Sequence, residues 1–177
     1  SLEQAAVAAL LQKGLWLATA ESCTGGLVSQ RITAVAGASE CFGFGFVTYA
    51  NAAKEKLLGV KGQTLAAFGA VSPETAAEMA VGAQAASGAD IAVALTGIAG
   101  PGGSTPKKPV GLVYLAAAYK GDVYVQTLQL GQRNRETVRW LASQWALDTA
   151  RRLALGLPLP AGGLVTTARS ADETDKM

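Results

Sequence analysis

Four side chains in two places are candidate nucleophiles. Ser22, Cys23 and Thr24 stand directly before a Gly-Gly pair, and Ser39 lies on a loop that leads into a Phe-rich segment. The sequence contains no histidine, which excludes Ser-His-Asp and Cys-His catalysis, HExxH metal sites and most zinc sites. Any acid–base step must therefore use Lys, Tyr, Asp, Glu or a cysteine with a shifted pKa. Residue types alone do not choose among the four nucleophiles.

Lys54 is the candidate base. With Asn51 as the N-cap of the helix that follows, Lys54 falls at the third helical position, near the positive end of the helix dipole. A positive environment and partial burial would lower its pKa, as a general-base lysine requires. Tyr49, five residues earlier, is placed to hold or relay the proton. The simpler interpretation of Lys54 is an exposed helix lysine, and the residue types leave both open.

Two glycine-rich loops suit an anion. Gly25-Gly26 opens a helix, whose free N–H groups favour negative charge, and Gly97–Gly103 lets the backbone approach a ligand closely. Neither loop has the Walker A or GxGxxG spacing, so we expect a single phosphate rather than a nucleoside triphosphate or a dinucleotide. Arg135, in the first turn of the last helix, is either solvated or beside a bound phosphate or carboxylate.

These residues follow the ends of predicted strands. The polar or glycine-rich segments Glu21–Gly26, Thr48–Lys54 and Thr96–Gly103 each come after an apolar run. Ligands of open α/β sheets bind outside the carboxyl ends of the strands, so parallel neighbouring strands would bring the three segments into one cleft. Each segment alone is also compatible with an ordinary strand-to-helix turn.

The order of elements predicts an α/β fold, a three-layer α/β/α sandwich with a mixed, partly parallel sheet. We predict strands over 15–20, 42–50 and 90–95, and a hairpin over 110–119 and 123–130. We predict helices over 3–13, 27–35, 51–58, 73–87 and 135–155.

The 177 residues fit one domain, which we place at 1–156, followed by a partly mobile tail at 157–177. A net charge of +2 without a basic run gives no sign of nucleic-acid binding, and no apolar stretch is long enough to cross a membrane. Cys23 and Cys41 have no disulfide or metal spacing, and the amino-terminal residues lack the pattern of a signal peptide. We therefore expect a cytoplasmic protein.

Five motifs carry a resemblance to a known family. They are Glu21–Gly26 (ESCTGG), Phe46–Lys54 (FVTYANAAK), Gly69–Ser72 (GAVS), Leu95–Gly103 (LTGIAGPGG) and Lys108–Gly111 (KPVG). In order and spacing they closely resemble the C-terminal domain of the competence/damage-inducible protein CinA, over roughly residues 3–156. Stand-alone versions of that domain are nicotinamide-nucleotide amidases.

The resemblance implies hydrolysis of the carboxamide of nicotinamide mononucleotide to nicotinate mononucleotide and ammonia. Matched residue by residue, it implies Ser39 as the nucleophile, with Ser22 as the second choice, Lys54 as the general base and Tyr49 assisting. It implies substrate binding by Thr96 and Arg135. The remaining expected binding residues lie in the two glycine-rich loops: Ser22, Thr24, Gly25, Gly26, Gly97, Gly100, Gly102 and Gly103.

The amidase scheme requires no metal and no cofactor, and the resemblance leads us to expect a homodimer whose partner is a small nucleotide. Two other interpretations stay open at this point. One is a non-catalytic nucleotide-binding regulatory module of the competence and DNA-damage response. The other is an amidase that uses Cys23 as its nucleophile.

Overall fold

The computed structural model describes residues 1–160 and 164–167 of the chain. The helices are α1 (Leu2–Lys13), α2 (Leu27–Thr33), α3 (Asn51–Leu58), α4 (Gly62–Phe68), α5 (Pro73–Ser87) and α6 (Arg135–Leu155). The strands are β1 (Leu17–Glu21), β2 (Phe42–Val47), β3 (Ile91–Gly97), β4 (Leu112–Tyr119), β5 (Asp122–Gln129) and β6 (Leu164–Thr167). A short 3₁₀ helix, Ala38–Glu40, precedes β2.

The strands form one mixed sheet in the order β2-β1-β3-β4-β5-β6. β1 runs parallel to both β2 and β3, whereas β3, β4, β5 and β6 pair antiparallel in sequence. Helices cover both sides of the sheet, which confirms the predicted α/β class. Because β1, β2 and β3 are parallel neighbours, their carboxyl ends meet at one edge, where the three predicted segments begin.

The two faces of the sheet bury side chains of different size. In β3, Ile91, Val93 and Leu95 belong to the cluster packed with α1, α2 and α6. Ala92 and Ala94 point the other way, into the cluster packed with α5. Successive strand residues alternate between faces, so the small residues lie under α5 and let this helix pack close to the sheet.

Some boundaries differ from the predictions. β2 ends at Val47 instead of Ala50, and the N-cap of α3 is Ala50 instead of Asn51, so Lys54 is the fourth residue of its helix. Helix α4 was not predicted, because it begins with a glycine and has no side-chain cap to announce it.

The segment after residue 156, predicted to be a tail, contains β6. This strand pairs antiparallel with β5, with Thr167 opposite Asp122. The rest of that segment, at 161–163 and 168–177, lies outside the described residues.

Arg31 anchors α6 to the two helices beside it. Its buried guanidinium donates to Ser143 Oγ at 2.7 Å, to the side-chain oxygen of Gln144, and to the carboxylate of Glu3 in α1 at 3.0 Å. The guanidinium also lies 3.8 Å from the ring centre of Trp140. These contacts tie α1, α2 and α6 together on one side of the sheet.

On the other side, α3 and α5 approach at Gly82. A Cβ built on Gly82 would lie 1.8 Å from the carbonyl oxygen of Leu58, the last residue of α3. The obstacle is backbone, which cannot rotate away as a side chain would. The approach also sets the position of α3, the helix that carries Lys54.

We expect Gly82→Ala to destabilise the fold by about 1–3 kcal/mol, because the added methyl group must push α3 away from α5. Helix propensity alone predicts the opposite, a gain of up to about 1 kcal/mol. Urea denaturation measures the free energy of unfolding.

The control is Gly62→Ala, at the first position of α4, where the added Cβ would meet only the carboxylate end of Glu55. That side chain can move, so we expect little loss of stability. Equal stabilities for the two variants would contradict the close approach at Gly82.

Candidate active site

A cleft of about 160 Å³ lies at the carboxyl ends of β1, β2 and β3. Six of the predicted site residues line it: Ser22, Tyr49, Lys54, Thr96, Gly97 and Arg135. They come from the segments after β1 and β2, from the last two residues of β3 and from the start of α6. The sheet edge thus brings together residues that are far apart in the sequence.

Lys54 is the central side chain of the cleft and is only 1% exposed. Its Nζ donates to the carbonyl oxygens of Thr48 at 2.8 Å and Tyr49 at 3.2 Å, and to Ser22 Oγ at 3.1 Å. Burial lowers the pKa of Lys54, an effect that the nearby Cys23 partly opposes. A neutral amine has two hydrogens, enough for the two carbonyls, and this leaves its lone pair for the proton of the Ser22 hydroxyl.

Ser22 directly follows β1 and is held by the neighbouring strand β3. Its backbone N–H donates to the carbonyl of Leu95 in β3 at 3.0 Å, and its own carbonyl accepts from Gly25 N–H at 2.9 Å. Gly25 and Gly26 have φ angles of 58° and 102°, which favour glycine at both positions. We call residues Ser22–Gly26 the nucleophile turn, because it carries three of the four candidate nucleophiles, Ser22, Cys23 and Thr24.

Glu21, a residue the sequence analysis did not single out, occupies the N-terminus of α2. Its carboxylate is 1% exposed and accepts from the N–H groups of Val28 at 2.8 Å and Ser29 at 3.1 Å, and from Ser29 Oγ at 2.7 Å. The anion at this helix end is therefore a protein side chain. Gly25 and Gly26 do not line the cleft, and their role in the structure is to shape the nucleophile turn.

Two arginines, one helical turn apart on α6, reach the site. Arg135 donates to the carbonyl of Gly100 at 2.9 Å and to the hydroxyl of Tyr49 at 3.0 Å. Arg139 donates to the carbonyls of Cys23 at 3.1 Å and Thr24 at 2.8 Å. Arg139 was not predicted; its spacing of four residues from Arg135 was the signal in the sequence that indicated a shared helix face.

Tyr49 contributes to the site in two ways that the sequence did not separate. Its carbonyl accepts from Lys54, whereas its side chain is 61% exposed and its hydroxyl accepts from Arg135. The phenol therefore contacts the guanidinium of Arg135, and the structure gives it no hydrogen bond to the lysine amine.

Thr96 lines the cleft and is 1% exposed. Its hydroxyl donates to the carbonyl of Ala70 at 2.7 Å. Its proton is thus used to hold the Ala70–Val71 wall of the cleft. Of the other glycines, Gly100 meets Arg135 through its carbonyl, while Gly102 and Gly103 are exposed and do not line the cleft.

The structure does not bring Ser39 to Lys54. Ser39 lies in the 3₁₀ helix before β2 and lines a separate, shallow depression with Thr33 and Phe42. Lys54 follows the opposite end of β2, whose six residues span about 20 Å at ~3.3 Å each. The hydroxyl within hydrogen-bond distance of the amine is that of Ser22, the second choice of the sequence analysis.

Cys23 and Thr24 are both buried parts of the nucleophile turn. Burial raises the pKa of the Cys23 thiol to about 12, so the thiolate that a cysteine nucleophile needs is disfavoured. The Thr24 side chain is fully buried, and its hydroxyl has no hydrogen-bond partner among the described residues.

Within residues 1–160 and 164–167, no group of three or more Cys, Asp or Glu side chains is arranged to hold a metal ion. Over the same ranges, no helix has the length and hydropathy needed to cross a membrane.

Comparison with curated proteins gives relatives over most of this chain. A CinA-like protein of Desulfovibrio desulfuricans is 52% identical over 163 residues, which cover 91% of this chain and 38% of the relative. A CinA-like protein of Kosmotoga olearia is 53% identical over 157 residues, covering 89% of this chain and 38% of the relative. The chain thus spans a little over a third of the length of these relatives.

Solved structures match over nearly their whole length. The competence/damage inducible protein CihA from Agrobacterium tumefaciens gives a TM-score of 0.83 at 45% identity, covering 88% of this chain and 95% of that chain. A CinA superfamily protein from Klebsiella pneumoniae gives a TM-score of 0.84 at 34% identity, covering 88% and 96%. The family described as the CinA C-terminal domain matches residues 1–154. This chain belongs to the CinA C-terminal domain family.

Proposed function

We propose that the chain is an amidohydrolase that converts nicotinamide mononucleotide to nicotinate mononucleotide and ammonia, with Ser22 as nucleophile and Lys54 as general base. The observation that carries the proposal is the 3.1 Å hydrogen bond between Lys54 Nζ and Ser22 Oγ in a cleft where the lysine is buried. A nucleophile and a base within hydrogen-bond reach, with the base oriented by further groups, is the arrangement that covalent catalysis requires.

The substrate class is supported by two groups that line the cleft. The Ser22–Lys54 pair is suited to attack on a carboxamide. Arg135 lines the same cleft, exposed and at the N-terminus of α6, where a guanidinium and a helix dipole both favour an anion. A nucleoside monophosphate with a carboxamide on its base presents these two groups. The family membership agrees with this assignment.

In the first half of the reaction, Lys54 takes the Ser22 proton as Oγ bonds to the carboxamide carbon. The resulting tetrahedral intermediate collapses when the Lys54 ammonium returns the proton to the amide nitrogen, the C–N bond breaks and ammonia leaves. Ser22 then carries the nicotinate group as an ester. One lysine thus acts as base and then as acid, without a histidine.

In the second half, water attacks the ester carbon while Lys54 accepts its proton. The C–Oγ bond breaks, Ser22 recovers a proton from Lys54, and nicotinate mononucleotide is released. Binding of the remote phosphate by Arg135 would hold the carbon against the nucleophile in both halves. In this scheme Tyr49 positions Arg135 through its hydroxyl and Lys54 through its carbonyl.

We expect Ser22→Ala to abolish ammonia release from nicotinamide mononucleotide, with a loss of at least about 10³-fold in kcat, because the attacking oxygen is removed. Ser39→Ala, in the separate depression, is the matched control and should keep the wild-type rate. A glutamate dehydrogenase-coupled ammonia assay measures both. The opposite result, an active Ser22→Ala and an inactive Ser39→Ala, would restore Ser39 as the nucleophile.

Calorimetry measures binding of nicotinamide mononucleotide to the wild-type protein. If the protein binds the nucleotide and releases no ammonia, the amidohydrolase proposal is contradicted and the non-catalytic regulatory module is favoured. Full activity in Cys23→Ser is expected, since the buried thiol is neutral.

We expect kcat/KM to rise with pH and to level off above the pKa of Lys54, because only the neutral amine accepts the Ser22 proton. Burial lowers the pKa of Lys54, so this plateau should begin below the ~10.4 of an exposed lysine. Lys54→Met should lose turnover at every pH and keep most of its affinity for the nucleotide. A turnover rate that Lys54→Met leaves unchanged would disprove the base role.

The same lowered pKa has an effect on stability. Between the lowered folded pKa and the unfolded value, the unfolded chain binds more protons, so wild-type stability gains from rising pH. Lys54→Met lacks this gain. The free energy of unfolding of the variant minus that of wild type should therefore fall as pH rises through this window, as measured by urea denaturation; a constant difference would contradict the lowered pKa.

We expect Arg135→Ala to raise KM for nicotinamide mononucleotide by about 10-fold or more, with a smaller effect on kcat, because a charge-assisted contact to the phosphate is lost. Arg133→Ala is the matched control, since Arg133 is exposed and its side chain donates to the carbonyl of Leu130, outside the cleft. Nicotinamide riboside, which lacks the phosphate, should be a poor substrate for wild type and should be affected little by Arg135→Ala. An equal loss for both substrates would contradict a phosphate contact.

A further inference from the structure

Arg139 lies beside the nucleophile and has no part in the mechanism above. Its Nε donates to the Cys23 carbonyl at 3.1 Å and its Nη2 to the Thr24 carbonyl at 2.8 Å. These are the two peptide carbonyls that directly follow Ser22. One planar guanidinium therefore holds two successive carbonyls of the nucleophile turn on the side that faces α6.

This contact decides where the N–H groups of the turn point. In a trans peptide unit the C=O and N–H bonds are antiparallel, so the Thr24 N–H, which shares a peptide with the Cys23 carbonyl, points away from Arg139. The Gly25 N–H is already used by the Ser22 carbonyl. In contrast, the N–H groups of Cys23 and Thr24 donate to no acceptor among the described residues. Two unused donors thus follow the proposed nucleophile directly.

Unused backbone donors next to a nucleophile have a known chemical use. Hydrolases with a serine nucleophile commonly place the N–H of the following residue against the oxyanion of the tetrahedral intermediate. Thr96 also has a hydroxyl in the cleft, but this hydroxyl donates its proton to the Ala70 carbonyl. The backbone of the nucleophile turn is therefore the better source of oxyanion donors.

The positive charge of Arg139 also favours an oxyanion at Ser22. Arg139 forms no ion pair with a carboxylate in the described part of the chain, and its partners are carbonyl dipoles. An arginine this close to the start of a helix also opposes the helix dipole. An anion that forms at Ser22 during the reaction would receive the benefit of this uncompensated positive charge, which a ground-state amide would not.

We propose that Arg139 is a positioning residue that directs the N–H groups of Thr24 and Cys23 to the oxyanion formed when Ser22 attacks. By holding the Cys23 carbonyl it orients the Thr24 N–H directly. By holding the Thr24 carbonyl it orients the Gly25 N–H, which bonds the Ser22 carbonyl and so orients the Cys23 N–H of that peptide. This inference rests on the proposed Ser22 hydrolase function. It adds to that function a residue that does not touch the substrate. A purely structural role, tying α6 to the turn, would lower stability and leave the kinetics of the folded fraction unchanged.

The test compares Arg139→Met, Arg139→Lys and Arg139→Ala with wild type in ammonia release from nicotinamide mononucleotide. We expect Arg139→Met to lower kcat by about 10²-fold, the size of effect seen when a reacting group is misplaced or an oxyanion donor is lost. KM should change little, because the phosphate contact of Arg135 is retained. Arg139→Lys keeps the charge and should keep more activity than Arg139→Met.

Guanidinium ion added at millimolar concentration should partly restore kcat to Arg139→Ala and leave wild type unaffected. The matched control is Arg151→Met on the same helix, where the arginine pairs with Asp148 at the surface; its kcat should equal that of wild type. If Arg139→Met lowers only the folded fraction, or raises KM alone, the positioning role is overturned. If Arg139→Met does not fold, Arg139→Lys with unchanged kcat and KM overturns it equally.

A second measurement separates this inference from the choice of substrate. Phenylmethanesulfonyl fluoride would form a sulfur–oxygen bond to Ser22 and release fluoride, while the hydroxyl proton passes to Lys54. The sulfonyl oxygens need the same donors. We expect Arg139→Met to slow this labelling, followed by mass spectrometry, and Arg151→Met not to slow it. If the wild type releases no ammonia and Arg139→Met is still labelled more slowly, the nucleotide substrate is refuted and the positioning role of Arg139 is upheld. Equal labelling rates for Arg139→Met and wild type would overturn the positioning role.

Discussion

The buried amine of Lys54 is the constraint on which the site depends. Removing an ammonium ion from water costs several kcal/mol, and the acceptors that meet Lys54 are two carbonyls and a hydroxyl, none of them an anion. Full compensation by a carboxylate would have kept the lysine charged. Partial compensation by dipoles keeps it in place, while burial still lowers its pKa and so raises the share of the neutral form, which is the form able to take a proton.

The sheet provides the rest of the geometry. Parallel β1 and β2 keep their backbones about 4.8 Å apart, and Glu21 lies opposite Val47 at the end of the shared register. The residues that follow, Ser22 and Thr48, therefore leave the sheet side by side. Because the chain turns into α3 at once, Lys54 can reach back over the strand end to both. The separation of Ser22 and Lys54 is thus a property of strand pairing more than of loop conformation.

The sequence was sufficient for the α/β class and for a cleft at three strand ends that Lys54 lines, because periodicity and helix-start signals are local. The base role of Lys54 stays a prediction. The sequence was insufficient for the choice between Ser22 and Ser39, which depends on which edge of the sheet each serine occupies: Ser22 follows the carboxyl end of β1, whereas Ser39 precedes the amino end of β2. It also missed Glu21 and Arg139. Their roles arise from contacts with other segments: a carboxylate folding over its own helix start, and a guanidinium meeting a turn more than a hundred residues away.

The carboxylate of Glu21 at the start of α2 has a consequence for how ligands are oriented. It occupies the N-terminus of α2, so the groups left to attract an anion lie mainly on α6, which brings its own N-terminus, Arg135 and Arg139 to the site. The anionic group of any ligand is therefore drawn toward α6. Because Arg139 of the same helix also contacts the turn that carries Ser22, a shift of α6 would affect both the anion and that turn.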